Sequence, residues 1–175
     1  MSRLLGMTDK KDYLDSDDLI ERKSARGIII ENNKIYLSHA RINDTYKIPG
    51  GGNDLNESIL DTLYREVLEE VGINVDINNV KEYGIYIDTW KSVKDSEKNK
   101  RWYQTSYYFI CDRIGEVMPI SPTESEIRDL CEGVLVDIDE AISANLRYIN
   151  SLDKEHLFLL RETNVLKLIK EELIK

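Results

Sequence analysis

The chain has 175 residues, of which 41% are hydrophobic and 33% are charged, and its net charge is −9. This length and composition predict one folded domain with its own core, and they exclude a disordered or fibrous chain. The acidic excess argues against a nucleic-acid-binding surface, which needs clustered Lys and Arg, and no apolar run is long enough for a membrane helix. The N-terminus has no apolar signal segment, so we expect a cytoplasmic protein with Cys111 and Cys131 reduced.

The first part of the chain predicts a polar lead-in followed by a hairpin. Residues 1–25 are rich in charge and predict an extension that leads into the first strand. Apolar segments 27–30 and 35–39 flank the pair Asn32–Asn33, and asparagine tolerates the positive φ that a tight turn requires. Together they predict a strand, a turn and a second strand.

The remaining elements alternate between strands and helices. Pro49 and the three glycines after it are expected to interrupt regular structure. A helix is predicted from about Ser58 to Val71. Aromatic and β-branched segments predict strands, and amphipathic segments predict two later helices. The strands are 84–90, 102–111 and 133–137, and the helices are 139–146 and 153–175. Such alternation, with hairpins, predicts an α/β fold in which helices cover a mixed sheet.

The segment Lys91–Arg101 joins two of these strands and carries more basic than acidic residues. Its only apolar residue is Val93, so the simplest interpretation is a solvated loop. The alternative is a mobile flap whose positive charge gathers an anionic substrate.

The predicted helix over 60–71 has one apolar and one acidic side. At 100° per residue its apolar residues share the side that packs on the sheet: Leu60, Leu63, Tyr64, Val67, Leu68 and Val71. Glu66, Glu69 and Glu70 fall opposite, at the i, i+3 and i+4 spacing that makes side chains neighbours.

This acidic cluster is unfavourable on an isolated helix. Each like-charge pair costs roughly 0.2–0.5 kcal/mol. Glu69 and Glu70 also lie in the last turn, where the helix dipole disfavours anions. A divalent cation with a preference for oxygen ligands, Mg²⁺ or Mn²⁺, would reverse these costs. The alternative is an ordinary solvated acidic surface.

The spacing of the fixed residues decides between these interpretations. Residues 51–73 contain the pattern Gly51-x5-Glu57-x7-Arg65-Glu66-Val67-x-Glu69-Glu70-x-Gly72-Ile73. This pattern resembles the signature box of the Nudix hydrolases at every fixed position, and the preceding residues 47–52 resemble the family's apolar-Pro-Gly-Gly lead-in. The resemblance implies a single Nudix domain over residues 1–175, built as an α/β/α sandwich around a mixed sheet, with helix 153–175 packed on it.

The resemblance also implies a role for each box residue. Glu57 is expected to form a structural salt bridge with Arg65. Gly51 is expected to allow a tight turn, and Gly72 to end the helix in a left-handed conformation. The expected metal ligands are Glu66, Glu69, Glu70 and the carbonyl of Gly50, with Glu69 as the principal ligand and Glu66 and Glu70 sharing ligand and base roles.

A carboxylate from outside the box is also expected, since three glutamates offer few oxygens to a cluster of metal ions. Relatives often supply it from the loop before the last strand, which here is Ser121–Glu132. We expect Glu126 to act as base or ligand, with Glu124 as the second choice. The alternative is that the acids of this loop are ordinary surface residues.

The implied reaction is Mg²⁺-dependent cleavage of a pyrophosphate bond in a nucleoside diphosphate linked to another group. The implied partner is therefore a small nucleotide, and many relatives are homodimers. Three residues are candidates for contacting it, although surface or core positions are the simpler interpretation: His39, Arg41 and Trp90. The proline and downstream motifs typical of ADP-ribose and NADH hydrolases are absent.

Two other functions are compatible with the same fold. A catalytically silent Nudix domain could sense a ligand or bind a partner, but such domains usually lose box carboxylates, and this chain keeps them. A prenyl-diphosphate isomerase would need a cysteine or an acid facing an apolar chain, and only Cys111 and Cys131 offer the thiol.

Overall fold

The computed structural model describes residues 1–93, 96, 99–151 and 157–174. In chain order, its elements are β1 (Leu4–Asp9), β2 (Asp18–Ile28), β3 (Ile30–Glu31), β4 (Lys34–Ala40), β5 (Thr45–Lys47), β6 (Gly50–Gly52), α1 (Ile59–Val71), β7 (Asn74–Val75), β8 (Lys81–Lys91), β9 (Lys100–Ile110), β10 (Arg113–Ile114), α2 (Glu124–Arg128), β11 (Cys131–Val136), α3 (Ile138–Asn150) and α4 (Leu157–Leu173).

The strands form one mixed sheet and two smaller sheets. The larger sheet has the order β1-β8-β9-β2-β6. Its β1–β8 and β2–β9 pairs are parallel, while β8–β9 and β2–β6 are antiparallel. In the second sheet β4 lies between β11 and β3 and also pairs with β5, and β7 pairs with β10. The predicted mixed sheet is thus confirmed.

Side-chain alternation along the long strands produces a core on each face of the large sheet. On one face, α1 packs against β2 and β6, and the buried residues include Ala25, Leu63, Val67 and Phe109. On the other face α3 and α4 pack together, and the buried residues include Tyr86, Tyr108, Val165, Leu166 and Ile169. Helices on both sides of strands give the predicted α/β/α arrangement. Tyr83 is also buried in this second core.

The N-terminal prediction was wrong in one respect, because residues 1–25 are not merely a lead-in. They contain β1 and the first part of β2. Strand β1 pairs with β8 along the sheet edge, and Arg3 donates two hydrogen bonds to Glu172 of α4. Long-range pairing of this kind leaves little trace in local composition, since the partner strand β8 lies far away along the chain.

Two segments predicted to be irregular contain short regular elements. Gly50–Gly52 forms β6 and pairs with β2, because glycine backbones can approach a neighbouring strand closely. The loop Ser121–Glu132 contains α2, whose N-cap residue Thr123 accepts from the Glu126 amide while the Glu126 side chain accepts from the Thr123 amide. This capping box is visible in the sequence as Thr-x-x-Glu and would have predicted the helix.

Other predictions were confirmed, with shifts at the boundaries. Asn32 and Asn33 have the positive φ angles of 52° and 61° that their turn requires. Helix α3 is longer than predicted. The predicted start of the last helix at Asp153 lies outside the described residues, as do 94–95 and 97–98 of the segment Lys91–Arg101.

Helix α1 keeps most, but not all, of its predicted apolar face. Leu63, Val67 and Val71 are fully buried, whereas Leu60 and Leu68 are 38% and 37% exposed. The buried stripe is narrower than predicted because α1 covers mainly β2 and β6.

The end of α1 gives a test of the packing beside the box. Gly72 has φ 69°, and a Cβ there would collide with the backbone of Met118. Gly115 has nearly the same φ of 71°, but a Cβ there meets nothing within 4 Å. Gly115→Ala is expected to cost about 1–2 kcal/mol of unfolding free energy from backbone strain alone. Gly72→Ala should cost clearly more, measured by urea denaturation, and equal losses would contradict the predicted collision.

Candidate active site

The guanidinium of Arg65 connects the acidic residues of the box. Its Nε and Nη2 atoms each lie 2.9 Å from a carboxylate oxygen of Glu57, which is the predicted salt bridge. Its Nη1 atom lies 2.6 Å from Oε1 of Glu66 and 3.4 Å from Oε2 of Glu69. A bidentate pair of this kind fixes both distance and orientation. Arg65 therefore ties the loop before α1 to the acidic surface of α1.

The pKa of Glu57 is lowered to about 2, first because of the hydrogen bonds from Arg65. The hydroxyl of Thr62 adds a hydrogen bond of 2.7 Å to the same carboxylate. Both interactions favour the ionised form. Glu57 is thus held as an anion that anchors the loop, in keeping with the structural role predicted for it.

Glu70 leaves the acidic surface and is buried beneath the glycine loop. Its carboxylate lies 2.6 Å from Nζ of Lys47 and accepts a 2.9 Å hydrogen bond from the amide of Gly50. Burial raises its pKa to about 7, although Lys47 acts in the opposite direction. The helix periodicity placed Glu70 with Glu66 and Glu69 opposite the apolar side of α1, but in the structure Lys47 and the glycine loop draw the Glu70 side chain inward.

The balance of charge in the box differs from the sequence-based estimate. The sequence alone predicts that the three glutamates of the helix have no partners and that a bound cation neutralises them. In the structure Arg65 partners Glu66 and Glu69, and Lys47 partners Glu70. Lys47 comes from β5, so no spacing within the helix could reveal it. In the described ranges, no three Asp, Glu, His or Cys side chains converge on one metal position.

The residues still suit a divalent cation by their chemistry. Carboxylates and backbone carbonyls are the ligands that Mg²⁺ and Mn²⁺ prefer. A Cβ at Gly51 would overlap the carboxylate of Glu66, so only glycine lets this loop lie directly against that side chain. Glu69 is 40% exposed in its side chain and is available from solvent.

Of the two predicted loop carboxylates, Glu126 lies at the site and Glu124 does not contact it. Oε1 of Glu126 lies 3.3 Å from Nζ of Lys47, which also binds Glu70. Burial raises the pKa of Glu126, but hydrogen bonds from Thr123 and Glu70, together with the charge of Lys47, lower it to about 2. Glu124 is exposed at the start of α2.

A cavity of about 510 Å³ opens beside the box, over the even-numbered face of β2, β8 and β9. It is lined by five cationic side chains, by Gly51 and Gly52, and by uncharged and acidic groups. The cations are Lys10, Arg22, Arg26, Lys47 and Arg161, and the other lining residues include Ser24, Asp88, Trp90, Gln104 and Phe158. The volume is in the range of ligand pockets.

Of the three residues predicted as candidates for contacting the substrate, only one lines the cavity. Trp90 lines the cavity and stacks on Trp102 with a centroid distance of 6.1 Å. His39 instead stacks on Tyr46 at 4.2 Å, and Arg41 is exposed beside Glu132. Among the described residues that line the cavity, neither His39 nor Arg41 is present.

A family model for the NUDIX domain matches residues 21–159 of this chain. The chain belongs to the Nudix family. It is therefore a hydrolase of phosphoric anhydride bonds. Members of the Nudix family act on small nucleotides and generally use divalent metals. Among the described residues, none of the helices is long and apolar enough to cross a membrane.

Relatives by sequence and by structure agree with this assignment. An 8-oxo-dGTP diphosphatase from Buchnera aphidicola is 33% identical over 119 residues, covering 59% of this chain and 88% of the relative. An RNA pyrophosphohydrolase from Ruthia magnifica is 40% identical over 52 residues, only 29% of each chain. Solved structures share the Nudix fold. A NUDIX hydrolase from Nitrosomonas europaea has a TM-score of 0.52 at 18% identity over 83% of this chain and 88% of its own, and a mutator MutT protein from Bacillus halodurans has 0.51 at 22% identity over 70% and 72%.

The pair Glu57–Arg65 predicts a pH-dependent stability of this Nudix domain. The folded pKa of Glu57 is about 2 and its ordinary value is 4.5, so its contribution is complete above about pH 4.5 and disappears as the pH falls toward 2. Glu57→Gln should therefore lower the melting temperature at pH 6, and the difference from the wild type should shrink steadily between pH 4.5 and 2.5. A constant difference over this range would contradict an ionic role for Glu57.

Proposed function

We propose that this chain is a Mg²⁺- or Mn²⁺-dependent pyrophosphohydrolase that cleaves a nucleoside diphosphate linked to another group, such as a nucleoside triphosphate or a nucleotide derivative. The observation that carries the proposal is the position of the cationic cavity beside the complete box. On a chain of net charge −9, five cationic side chains surround one cavity that includes Gly51 and Gly52. Such a concentration of positive charge favours a multiply anionic ligand.

In the proposal the metal is held by Glu66, Glu69, Glu70 and the Gly50 carbonyl, with Glu69 as the principal ligand. When bound, a divalent cation would neutralise phosphate oxygens and lower the pKa of a water molecule. Gly51 supports this arrangement by letting the loop lie against Glu66. Arg65 supports it by holding Glu66 and Glu69 beside each other.

The protein's own side chains supply the remaining contributions. Lys47, Arg22 and Arg26 line the cavity next to the glycine loop, where they would bind the phosphate oxygens and orient the scissile bond. Removal of the water proton needs a base, and in the proposal Glu66 and Glu70 share that role. Glu126 contacts the same lysine as Glu70, but its lowered pKa makes it a weak base, and we assign it to positioning Lys47.

The Buchnera aphidicola relative, matched over 88% of its length, is named for 8-oxo-dGTP, a nucleoside triphosphate, and this supports a nucleotide of similar size as substrate. The match to the RNA pyrophosphohydrolase spans too little of that protein to favour a nucleic-acid substrate. Single-domain organisation over residues 1–175, a cytoplasmic location and a homodimer complete the proposal.

The two alternative functions predict different results. A silent sensing domain would bind nucleotides without hydrolysing them. An isomerase would need a cysteine or an acid facing an apolar chain. Of the two thiols, Cys111 is buried in the core beneath α1, where burial raises its pKa to about 12. Cys131 lines a second cavity of about 220 Å³, which shares Lys47 and Phe158 with the first. Phosphate release from a panel of nucleotides with Mg²⁺ distinguishes the three functions.

Glu69 gives the direct test of the metal site. Mg²⁺ or Mn²⁺ should raise the melting temperature of the wild type, because a ligand that binds only the folded state stabilises it. Glu69→Gln should remove most of this rise and lower turnover by about 100-fold or more, the scale expected when a main electrostatic stabiliser is lost. Both quantities are measured on the same samples, by thermal denaturation and by phosphate release.

Glu171→Gln is the matched control, because Glu171 is an exposed glutamate on another helix. It should keep both the metal-dependent rise and the turnover. If Glu69→Gln behaves like this control, Glu69 is not a metal ligand. If no nucleotide is hydrolysed by the wild type at millimolar Mg²⁺, the proposed function fails.

A further inference from the structure

The floor of the large cavity is built from rows of side chains that cross the mixed sheet. In β8, β9 and β2 the even-numbered residues share one face, and the strand register places Asp88 opposite Gln104 and Gln104 opposite Arg22. The next row toward one end of the sheet contains Trp90 and Trp102. The cavity floor therefore changes from aromatic to polar over one step along the strands.

Asp88 has an unusual environment within this row. It is 1% exposed, and its Oδ2 atom accepts a 2.6 Å hydrogen bond from Nη1 of Arg161. Its Oδ1 atom is buried and has no hydrogen-bond partner among the described residues. A buried carboxylate oxygen without a donor is costly, and such groups are rare in folded proteins. Asp88 also lines the cavity, and Oδ1 is the carboxylate oxygen of this residue that no described donor engages.

The position of Asp88 indicates which part of a ligand it meets. It lies on β8, three strands away from β6, which carries Gly51 and Gly52 of the box. At 4.7–4.9 Å per strand this separation is about 14 Å. A substrate whose diphosphate lies at the box therefore reaches Asp88 only with its far end. Trp90 and Phe158 line the same cavity, and their rings can stack on a planar group.

We propose that Asp88 is a specificity-determining residue that accepts a hydrogen bond from an N–H group of the substrate's nucleobase. This inference rests on the proposed nucleotide hydrolysis, and it specifies that the protein recognises the nucleobase end of the substrate. An oxygen acceptor at a fixed position discriminates strongly, because a base without the donor leaves Oδ1 unpaired. Arg22, Arg26 and Lys47 lie next to the glycine loop, where the phosphate end of the substrate is expected. The charge of Arg161, at the other end, is already paired with Asp88.

Substrate analogues test this in the wild type. The triphosphates of guanosine, inosine and adenosine all carry an N–H donor on the six-membered ring, whereas that of unsubstituted purine riboside carries none. The wild type should prefer at least one donor-bearing base over purine by about tenfold or more in kcat/KM, and in affinity measured by calorimetry with the monophosphates. Equal values for all four bases would overturn the proposal.

Asp88→Asn sharpens the test, because Arg161 can donate only to the amide oxygen and so turns the NH₂ group toward the cavity. The variant presents a donor where the wild type presents an acceptor, and its preference for donor-bearing bases should fall below about threefold. Glu162→Gln is the matched control. It removes a charge from the same buried cluster, but both oxygens of Glu162 are already paired, with Arg161 and with the Ile48 amide. This control should keep the wild-type base preference.

The outcomes separate the two proposals. Hydrolysis of nucleotides with unchanged base ratios in Asp88→Asn would overturn the role of Asp88 and leave the hydrolase proposal standing. If hydrolysis is absent, the calorimetric ratios still decide on Asp88. If the variant fails to fold, the wild-type ratios among the four bases decide alone.

Discussion

The contact between Arg65 and three glutamates is the interaction on which the active-site arrangement depends. One planar guanidinium binds Glu57 in two places and reaches Glu66 and Glu69 with its remaining nitrogen. Anions that would repel each other on a bare helix are thereby held close together. The same contact fixes the loop before α1, so the position of the glycine backbone relative to the acidic side chains is fixed as well. In this chain the box is one network of paired charges carried by α1 and the loop before it.

A second charged network holds the other side of the glycine loop. Glu162 of α4 is fully buried and accepts from the Ile48 amide, while Arg26 donates to the Ile48 carbonyl. Arg161 joins Glu162 to Asp88 on β8. Burying so many charges is unfavourable unless each is paired, and removing one partner of such a pair is strongly destabilising. Helix α4, the mixed sheet and the entry to the box are therefore coupled around the cavity floor.

The sequence predicted those features that local spacing determines. The spacing within residues 51–73 identified the box, and Ser58 and Gly72 marked the ends of α1. The pair Asn32–Asn33 predicted the turn between two strands. Features that depend on distant pairing were not predictable in this way. Strand β1 is defined by its pairing with β8, and Lys47, at the end of β5, reaches Glu70 of α1 only through the tertiary fold.

Asp88 is the most instructive omission. Nothing about an aspartate within a strand of aromatic residues distinguishes it from a surface residue. Only the register that places Asp88 beside Gln104, together with the burial of Oδ1, identifies this oxygen as an unpaired acceptor among the described residues. Glu126 is the opposite case, since its position at the site was expected from the family but its capping role at α2 was not.

The central claim is that Arg65 arranges the ligands of the metal site, and Mn²⁺ binding to Arg65→Lys, measured by calorimetry, tests it most directly. Lysine keeps the positive charge and every proposed ligand but loses the planar fork that binds Glu57 in two places. We predict that this variant, with an unchanged circular dichroism spectrum, binds Mn²⁺ about 10–100-fold more weakly than the wild type. The control Arg113→Lys, at a surface pair with Glu31, should bind normally. Wild-type affinity in Arg65→Lys would contradict the claim.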